Sequence, residues 1–221
     1  MIDQDKYSKL YKAMGELPQA LSEVKQSNPK AAKTIAKHLY CDTMCPWVGN
    51  RFAYNDFLSR HKNDGIHLSL DMNSFSSIND TYGHGSGDEA IKQFCKLASE
   101  ISRSMGGKFF RRSGDEFSSF FPTPDRAVAF AGELKNRLSS ASKIHDHQMS
   151  VSIGIGYNPE HAEKALLKAK AQILPRNPGN EPTSVVSLLS EPVPTNWRPA
   201  VLIQTPAEKD PSVLKLSHPL K

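Results

Sequence analysis

The sequence predicts an α+β protein built on a split βαβ domain, in which helices flank one antiparallel sheet. Three observations favour this class. Segments that alternate apolar and polar residues, as strands do, are interleaved with segments whose apolar residues recur every three or four positions, as on one face of a helix. Two aromatic-rich segments are separated by a short polar turn, which is typical of a β-hairpin. The order of elements is β-α-β-β-α-β with a final helix, as in ferredoxin-like and palm domains.

The first 41 residues predict an N-terminal helical segment. Residues from about Asp5 to Tyr40 have a helical composition, with interruptions near Pro18 and Pro29. Another helix is expected in GNRFAYNDFLSRHK, which starts at Gly49. The domain itself is assigned to residues 42–174, so the N-terminal helices precede the strands of the sheet.

The first half of the domain predicts a strand and a helix. GIHLSLDM alternates and ends in an acid, so we expect a buried strand that delivers Asp71 from its C-terminal end. After a connection rich in Ser, Asn and Gly, DEAIKQFCKLASEIS predicts a helix that begins at Asp88. Its core-facing stripe should consist of Ile91, Phe94, Leu97 and Ile101.

The second half predicts a hairpin, a helix, a strand and a last helix. The hairpin strands run roughly from Lys108 to Arg112 and from Phe117 to Phe121, with Asp115 and Glu116 at the tip. PDRAVAFAGELKNRLSSA is then expected to form a helix, and QMSVSIGIGY and EHAEKALLKAKAQI a strand and a basic amphipathic helix. The buried face of the first of these helices should contain Val128, Ala131, Leu134 and Leu138.

The last 47 residues, 175–221, predict an extended tail rather than a second domain. They contain nine of the 15 prolines, spaced too closely for helices, around the apolar islands SVVSLL and AVLIQ. A tail that only confers solubility would be less apolar. We therefore expect the islands to dock on the domain or on a protein partner.

Composition and charge indicate the class of ligand and the cellular location to expect. A formal net charge of +5 suits a polyanionic ligand, but the basic residues are spread along the chain, so nucleic-acid binding is not indicated. Cys41, Cys45 and Cys95 make no disulfide framework, and the first residues carry charges where a signal peptide needs an apolar stretch. No apolar run approaches the roughly 20 residues that span a bilayer, so we expect a cytoplasmic protein with no membrane span.

Polar residues follow the first predicted strand at short intervals. Asp71 ends the strand, and Asn79, His84 and Asp88 come next, separated by three glycines that let a backbone approach a ligand closely. Asp115 and Glu116 occupy the hairpin tip. Any one of these groups taken alone fits an ordinary solvated loop or turn.

Taken together, five segments resemble the GGDEF domains of diguanylate cyclases. LDMNSFSSINDTYGHGSGDEAI is similar to the family's first signature, approximately DxDxFKxxNDxxGHxxGDxxL, and SGDEF to the signature that gives the family its name. WVGNRFAYNDFL resembles the entry segment (commonly LTGxxNRxxF), SVSIGIG the penultimate strand motif and KALLKAK the ALYxAK helix. The matches occur in the family's order over roughly Asp42 to Arg176.

The resemblance implies an enzyme that joins two GTP molecules, held on two facing domains of a homodimer, into cyclic di-GMP and pyrophosphate. It implies Mg²⁺ or Mn²⁺ bound by Asp71, the backbone carbonyl of Met72 and Asp115, because phosphoryl transfer depends on neutralising charge with oxygen-bound cations. Asp115 is also the implied proton acceptor, with Glu116 in support. The N-terminal helices are the best candidates for pairing the two domains.

Further positions match the family's substrate-binding residues. A carboxylate accepts hydrogen bonds from the N1 and N2 hydrogens of guanine, which adenine does not present, and a lysine supplies a flexible point charge for phosphate. The implied substrate-binding residues are Asn79, His84, Asp88, Ser113, Gly114 and Lys170.

The chain also departs from the family pattern. Ser113 replaces the first glycine of the name signature, Asn73 replaces the second acid of DxD, and Ser76 replaces a phosphate-binding lysine. After the last helix, ILPRN replaces GRN and displaces Arg176 by two residues. The family's inhibitory product site, an RxxD just upstream of the signature, is absent.

Three hypotheses about function remain open at this point. The retained acidic and basic site residues favour an active diguanylate cyclase. The departures favour a degenerate GGDEF domain that binds GTP or a protein without turnover. A related palm-type nucleotidyl cyclase or polymerase, acting on another nucleotide, is the third.

Overall fold

The computed structural model describes residues 16–17, 19–141, 143–174 and 177–200. Its strands are β1 (Ile66–Met72), β2 (Lys108–Ser113), β3 (Glu116–Phe121), β4 (Lys143–Ile144), β5 (His147–Gln148), β6 (Val151–Gly156) and β7 (Ser184–Ser187). Five of them form one sheet in the order β2-β3-β1-β6-β7, and β4 and β5 form a separate hairpin. The first four strands of the sheet are antiparallel and β7 is parallel to β6. The predicted split βαβ class is confirmed.

The helices flank this sheet. They are α1 (residues 19–27), α2 (Pro29–Tyr40), α3 (Arg51–His61), α4 (Phe75–Tyr82), α5 (His84–Ser104), α6 (Pro124–Ala141) and α7 (Pro159–Gln172). Local capping explains several of their starts. The side chains of Asn28, Asn50 and Asn158 accept hydrogen bonds from backbone N–H groups in the first turns of α2, α3 and α7. None of the described helices is long and apolar enough to cross a membrane.

The two faces of β1 have different partners. Leu68, Leu70 and Met72 alternate onto the face covered by α5 and α6, where the main apolar core lies. His67, Ser69 and Asp71 point to the opposite face, where Ser69 donates a hydrogen bond to Glu163 of α7. The strict alternation of the strand therefore sends its last acid towards α7 and away from the core.

The N-terminal helices pack on the sheet. Leu21 of α1 and Tyr40 of α2 belong to a second apolar cluster that includes Phe57 of α3 and the strand residues Phe110 and Phe120. This cluster covers the outer face of the predicted hairpin. Its residues explain why the helices before residue 42 lie against the domain, and pairing of two chains through them stays a prediction.

Two details of the predicted helices are wrong. Val128 is 52% exposed, because the buried stripe of α6 follows Ala127, Phe130, Ala131, Leu134 and Leu138 instead. The connection predicted before Asp88 is largely helical. The helix α4 buries Ile78 and ends at Tyr82, and the φ of 84° at Gly83 allows the chain to turn into α5 at His84. Tertiary packing of a short apolar face here overrides weak helix propensities.

Part of the proline-rich region joins the same unit. The island SVVSLL supplies β7, so it docks on the domain, and Trp197 donates a hydrogen bond from its indole nitrogen to the Gly65 carbonyl. Arg198 also pairs with Asp64, at 3.0 Å between Nη2 and Oδ1. Most of the island AVLIQ and all of residues 201–221 lie outside the described residues, and a partner for them stays a prediction.

The close approach of α7 to β6 requires glycine in the strand. A Cβ on Gly154 would lie 2.2 Å from both the Ala162 carbonyl oxygen and the Leu166 nitrogen. These are backbone atoms of a helix, so a small side-chain movement cannot relieve the overlap. Glycine at this position thus sets the distance between α7 and the sheet.

We predict that Gly154→Ala lowers the free energy of unfolding by about 3 kcal/mol, measured by urea denaturation, because it overpacks this contact. The matched control is Gly132→Ala in α6, where a Cβ would meet nothing within 4 Å. This control should raise stability by about 0.5–1 kcal/mol, because alanine is the better helix former. Equal effects of the two substitutions would contradict the packing argument.

Candidate active site

The hairpin tip lies beside the end of β1. In the pairing of β1 with β3, Asp71 is opposite Glu116. The Met72 N–H donates a hydrogen bond to the Asp115 carbonyl oxygen at 3.1 Å. Gly114 has a φ of 44°, which suits the tight turn between β2 and β3. The adjacency that the sequence predicts between Asp71, Met72 and the turn acids is therefore present.

Lys170 enters the same site from α7. Its Nζ lies 2.6 Å from Asp71 Oδ2; the Asp71 side chain is largely shielded from solvent, and the Lys170 side chain is partly exposed. The pair forms because Asp71 points to the α7 face of the sheet and α7 packs closely on that face. The Lys170 ammonium group partly offsets the negative charge of the nearby aspartates.

The electrostatics of Asp115 reflect crowding of carboxylates. Burial raises the pKa of Asp115 above its ordinary value near 3.8, and the charges of Asp71 and Glu116 raise it further. A backbone hydrogen bond and Lys170 act in the opposite direction. The site thus holds more negative charge than one lysine compensates.

This donor set fits a divalent cation. The carboxylate and carbonyl oxygens here are hard ligands, and together they carry an excess of negative charge. Mg²⁺ and Mn²⁺ prefer such an environment. Within the described ranges, no group of three His, Cys, Asp or Glu side chains could hold a metal ion. A cation here would rest on Asp71, Asp115, the Met72 carbonyl and water, as magnesium sites commonly do.

The turn itself is braced by hydrogen bonds. Ser113, which replaces the family's glycine, is exposed, and its hydroxyl donates to Glu116 Oε2 at 3.0 Å. Arg111 Nε donates to the Gly114 carbonyl at 2.9 Å, and its Nη1 lies 3.2 Å from Asp42 Oδ1. Sequence reasoning missed Arg111 and Asp42, although Arg111 stands two residues before the signature.

The predicted base-reading residues lie on the neighbouring helices α4 and α5. A Cβ on Gly87 would lie 2.0 Å from Asn79 Oδ1, so the absence of a side chain at Gly87 lets the two helices approach there. Asp88 is the next residue and is exposed, as is His84 at the first position of α5. Because α5 begins at His84, Asp88 lies in its second turn and does not cap the helix.

The departures from the family pattern have different surroundings. Ser76 is exposed on α4. Asn73 is buried, and its side-chain amide donates to the hydroxyl of Ser150 and to the Pro182 carbonyl, while its oxygen accepts from Ser152. Arg176 lies outside the described residues.

Sequence reasoning also missed the contacts between the turn after β1 and the proline-rich region. Ser74 donates a hydrogen bond to Glu181, whose side chain is buried. The two residues are 107 positions apart, and nothing in their local sequence indicates that they meet.

Comparison with known proteins identifies related sequences. The family model described as "Diguanylate cyclase, GGDEF domain" matches residues 50–174. The diguanylate cyclase DgcS of Shewanella oneidensis is 33% identical over 144 residues, which cover 56% of this chain and 47% of DgcS. An uncharacterized membrane protein of Staphylococcus aureus is 32% identical over 107 residues, which cover 46% of this chain and 30% of that protein. The chain spans less than half the length of these curated relatives.

Solved structures share the fold. The coiled coil and GGDEF domain of DgcB from Caulobacter crescentus, in complex with c-di-GMP, matches with a TM-score of 0.58 and 19% identity, covering 78% of this chain and 97% of that chain. The diguanylate cyclase SiaD of Pseudomonas aeruginosa, in complex with its activator SiaC, matches with a TM-score of 0.54 and 18% identity, covering 83% and 75%. At these identities the likeness establishes the fold alone.

We predict that Asp115→Asn leaves the melting temperature in metal-free buffer at neutral pH unchanged or raised by a few degrees. The raised pKa means that ionised Asp115 disfavours the folded state. This cost is absent below the ordinary pKa of aspartate and grows as pH rises through the folded-state value. The gain should therefore disappear near pH 3, which thermal melts across a pH series can measure.

Asp146→Asn is the matched control for this substitution. Asp146 is also an aspartate at a hairpin turn, between β4 and β5, but it is exposed. Asp146→Asn should therefore not produce the pH-dependent gain in melting temperature that is expected for Asp115→Asn. A loss of stability specific to Asp115→Asn at neutral pH would contradict the charge assignment.

Proposed function

The chain belongs to the GGDEF family, and from this premise we propose that it is a diguanylate cyclase, which condenses two GTP molecules into cyclic di-GMP and pyrophosphate. The observation that carries the proposal is the meeting of Asp71, Asp115 and Lys170 from three separate elements. A solvated hairpin tip would not need a buried aspartate and a lysine beside it. A site for a metal-bound triphosphate needs both.

In the proposed reaction, the 3'-hydroxyl oxygen of one GTP bonds to the α-phosphorus of the other, and the bond to pyrophosphate breaks. Asp115 accepts the proton of the hydroxyl group. We assign Asp115 this role as general base, with Glu116 in support at the tip. Each half of the product is made in this way, so two bonds form and two pyrophosphates leave.

Bound Mg²⁺ or Mn²⁺ would supply charge neutralisation for the triphosphate, held by Asp71, Asp115 and the Met72 carbonyl. Lys170 would contact phosphate; its ammonium group beside Asp71, a proposed cation ligand, supports this assignment. Binding of nucleotide would require that ammonium to exchange some of its contact with Asp71 for phosphate oxygen. Ser113 and Gly114 would lie along the nucleotide at the turn.

Recognition of guanine would come from the contact between α4 and α5. Asn79 of α4 lies against Gly87 of α5, and Asp88 is the next residue along α5, so we assign one amide and one carboxylate from these two helices to the same base. His84 stands at the start of α5 as a further polar contact. The other GTP would come from a second chain, so the active form is a homodimer, and the expected cytoplasmic location stays a prediction.

A domain that binds nucleotide or protein without turnover is the second candidate. It is favoured by the direct ion pair between Lys170 and Asp71 and by the commitment of Asn73 to hydrogen bonds within the protein. In this case the lysine would replace the cation instead of assisting it. The two candidates differ in whether product forms.

We predict that the chain, incubated with GTP and Mg²⁺ or Mn²⁺, forms cyclic di-GMP and pyrophosphate, identified by mass spectrometry. Asp115→Asn should abolish turnover and most of the thermal stabilisation that GTP with Mg²⁺ confers, because a ligand stabilises only by binding the native state. Asp125→Asn is the control, since Asp125 is exposed beyond the opposite end of β3. Product from Asp115→Asn at the parent rate would overturn the assignment.

The same assay separates the alternatives. GTP-dependent stabilisation of the parent chain without product supports the degenerate domain. Product formed from another nucleoside triphosphate, but not from GTP, supports a related palm-type enzyme. Neither product nor a nucleotide-dependent shift would leave a protein-interaction domain as the remaining candidate.

We further predict that Asp88→Asn weakens GTP binding about ten- to a hundredfold, measured by calorimetry with Mg²⁺. An amide presents a donor where guanine presents its own N–H groups, and loss of a charge-assisted hydrogen bond costs about 1.5–3 kcal/mol. Glu89→Gln is the control, because Glu89 is the adjacent exposed acid on α5 and contacts Gln93. Equal affinity of parent and Asp88→Asn would remove Asp88 from the base site.

A further inference from the structure

Residues 177–183, which directly precede β7, pass the end of β1 and are fastened on both sides. We name these residues the strap. The Gly179 carbonyl accepts a hydrogen bond from the Gln148 N–H of β5 at 3.1 Å, and Thr183 Oγ1 accepts one from the Val151 N–H of β6 at 3.3 Å. These attachments hold the strap over the turn that joins β1 to α4.

The strap delivers a buried carboxylate to that turn. Glu181 is 4% exposed, and its Oε1 accepts a hydrogen bond from the Ser74 hydroxyl. Ser74 has a φ of 48°, a left-handed conformation that non-glycine residues adopt rarely unless their surroundings hold them there. The hydrogen bond from Ser74 to Glu181 directly restrains Ser74 in this conformation.

Asn73 forms a second link between the strap and the turn. Its Nδ2 donates to the Pro182 carbonyl at 3.3 Å and to Ser150 Oγ at 2.9 Å. A carbonyl can only accept, so an aspartate at position 73 would set two oxygens against each other. The acid that the family pattern has at this position would therefore repel the strap, and the strap supplies an acid of its own from Glu181.

Packing alone does not account for an acid at position 181. Glu181 Oε2 is buried and makes no hydrogen bond within the part of the chain that the structure describes. A buried carboxylate that is half satisfied lowers stability compared with an apolar side chain of similar size. The turn that it fastens is where the site is assembled, because Met72 lies before Ser74 and the helix that carries Asn79 lies after it.

We propose that Glu181 is a positioning residue for nucleotide binding. By holding Ser74, it fixes the turn that sets the metal-binding end of β1 against the base-reading helix α4. The inference rests on the proposed function, because it names the residue that orients the same site. Glu181 acts through Ser74 and does not itself touch the nucleotide.

The test is steady-state kinetics with GTP and Mg²⁺ on full-length variants. Glu181→Ala should raise KM for GTP about tenfold and change kcat less than about twofold, because the loosened turn must be ordered each time nucleotide binds. Glu181→Gln should keep KM within about threefold of the parent, since its amide oxygen still accepts from Ser74. Ser74→Ala should reproduce Glu181→Ala, and the double variant should be no worse than either.

Ser184→Ala is the matched control. Ser184 is the first residue of β7, directly after the strap, and its hydroxyl donates to Gln172 Oε1 of α7 at 2.8 Å. The substitution therefore loosens the attachment of β7 to α7 without touching the turn. Melting without nucleotide reports folding of each variant. A parent-like KM in Glu181→Ala or in Ser74→Ala, or an equal rise in Ser184→Ala, would overturn the proposal.

Failure of this proposal can be told apart from failure of the proposed function. If the parent chain forms product and binds GTP while Glu181→Ala behaves in the same way, the positioning role alone is wrong. If the parent chain neither forms product nor is stabilised by GTP with Mg²⁺, the cyclase assignment is wrong and the positioning role is overturned with it.

Discussion

The antiparallel pairing of β1 with β3 is the contact on which the candidate site depends. It sets Asp71 opposite Glu116 and joins Met72 to Asp115 through the backbone. A shift of one residue would exchange the two faces of β1 and bury Asp71 in the apolar core between the sheet and α5 and α6. The aromatic packing of Phe117 in that core resists such a shift, so the apolar residues of the hairpin determine where its charged tip lies.

The other half of the site depends on how closely α7 lies on the sheet. Gly154 and Gly156 leave no room for a Cβ beneath the helix backbone, which brings the helix down onto β6 and β1. At that separation Lys170 reaches Asp71 and Glu163 reaches Ser69. The two glycines of β6 thus allow the ion pair between Lys170 of α7 and Asp71 of β1, because the distance between α7 and the sheet determines whether the two charges meet.

The departures from the family pattern are not equivalent in physical terms. Ser113 points outward and bonds Glu116, which leaves the course of the turn unchanged. Asn73 is different, because its amide donates a hydrogen bond to the Pro182 carbonyl of the strap, and an acid at this position would repel that carbonyl. A substitution that removes a charge in the sequence also supplies, in the folded protein, an amide that donates within a buried polar network. The proposed activity is compatible with this difference provided that the turn after β1 keeps its conformation.

The sequence by itself determined the order of the main helices and strands along the chain, the hairpin with Asp115 at its tip and the strand that delivers Asp71, because alternation and turn chemistry are local properties of the chain. A resemblance carried by short motifs also predicts Asn79 and Asp88 as base-binding residues, and this assignment stays a prediction. The sequence could not place α4, whose residues are weak helix formers, or the exposed side of α6 at Val128. Only the tertiary structure decided that Lys170 pairs with Asp71 and that Glu181 meets Ser74, because contacts between residues about a hundred positions apart depend on packing distances that no local pattern records.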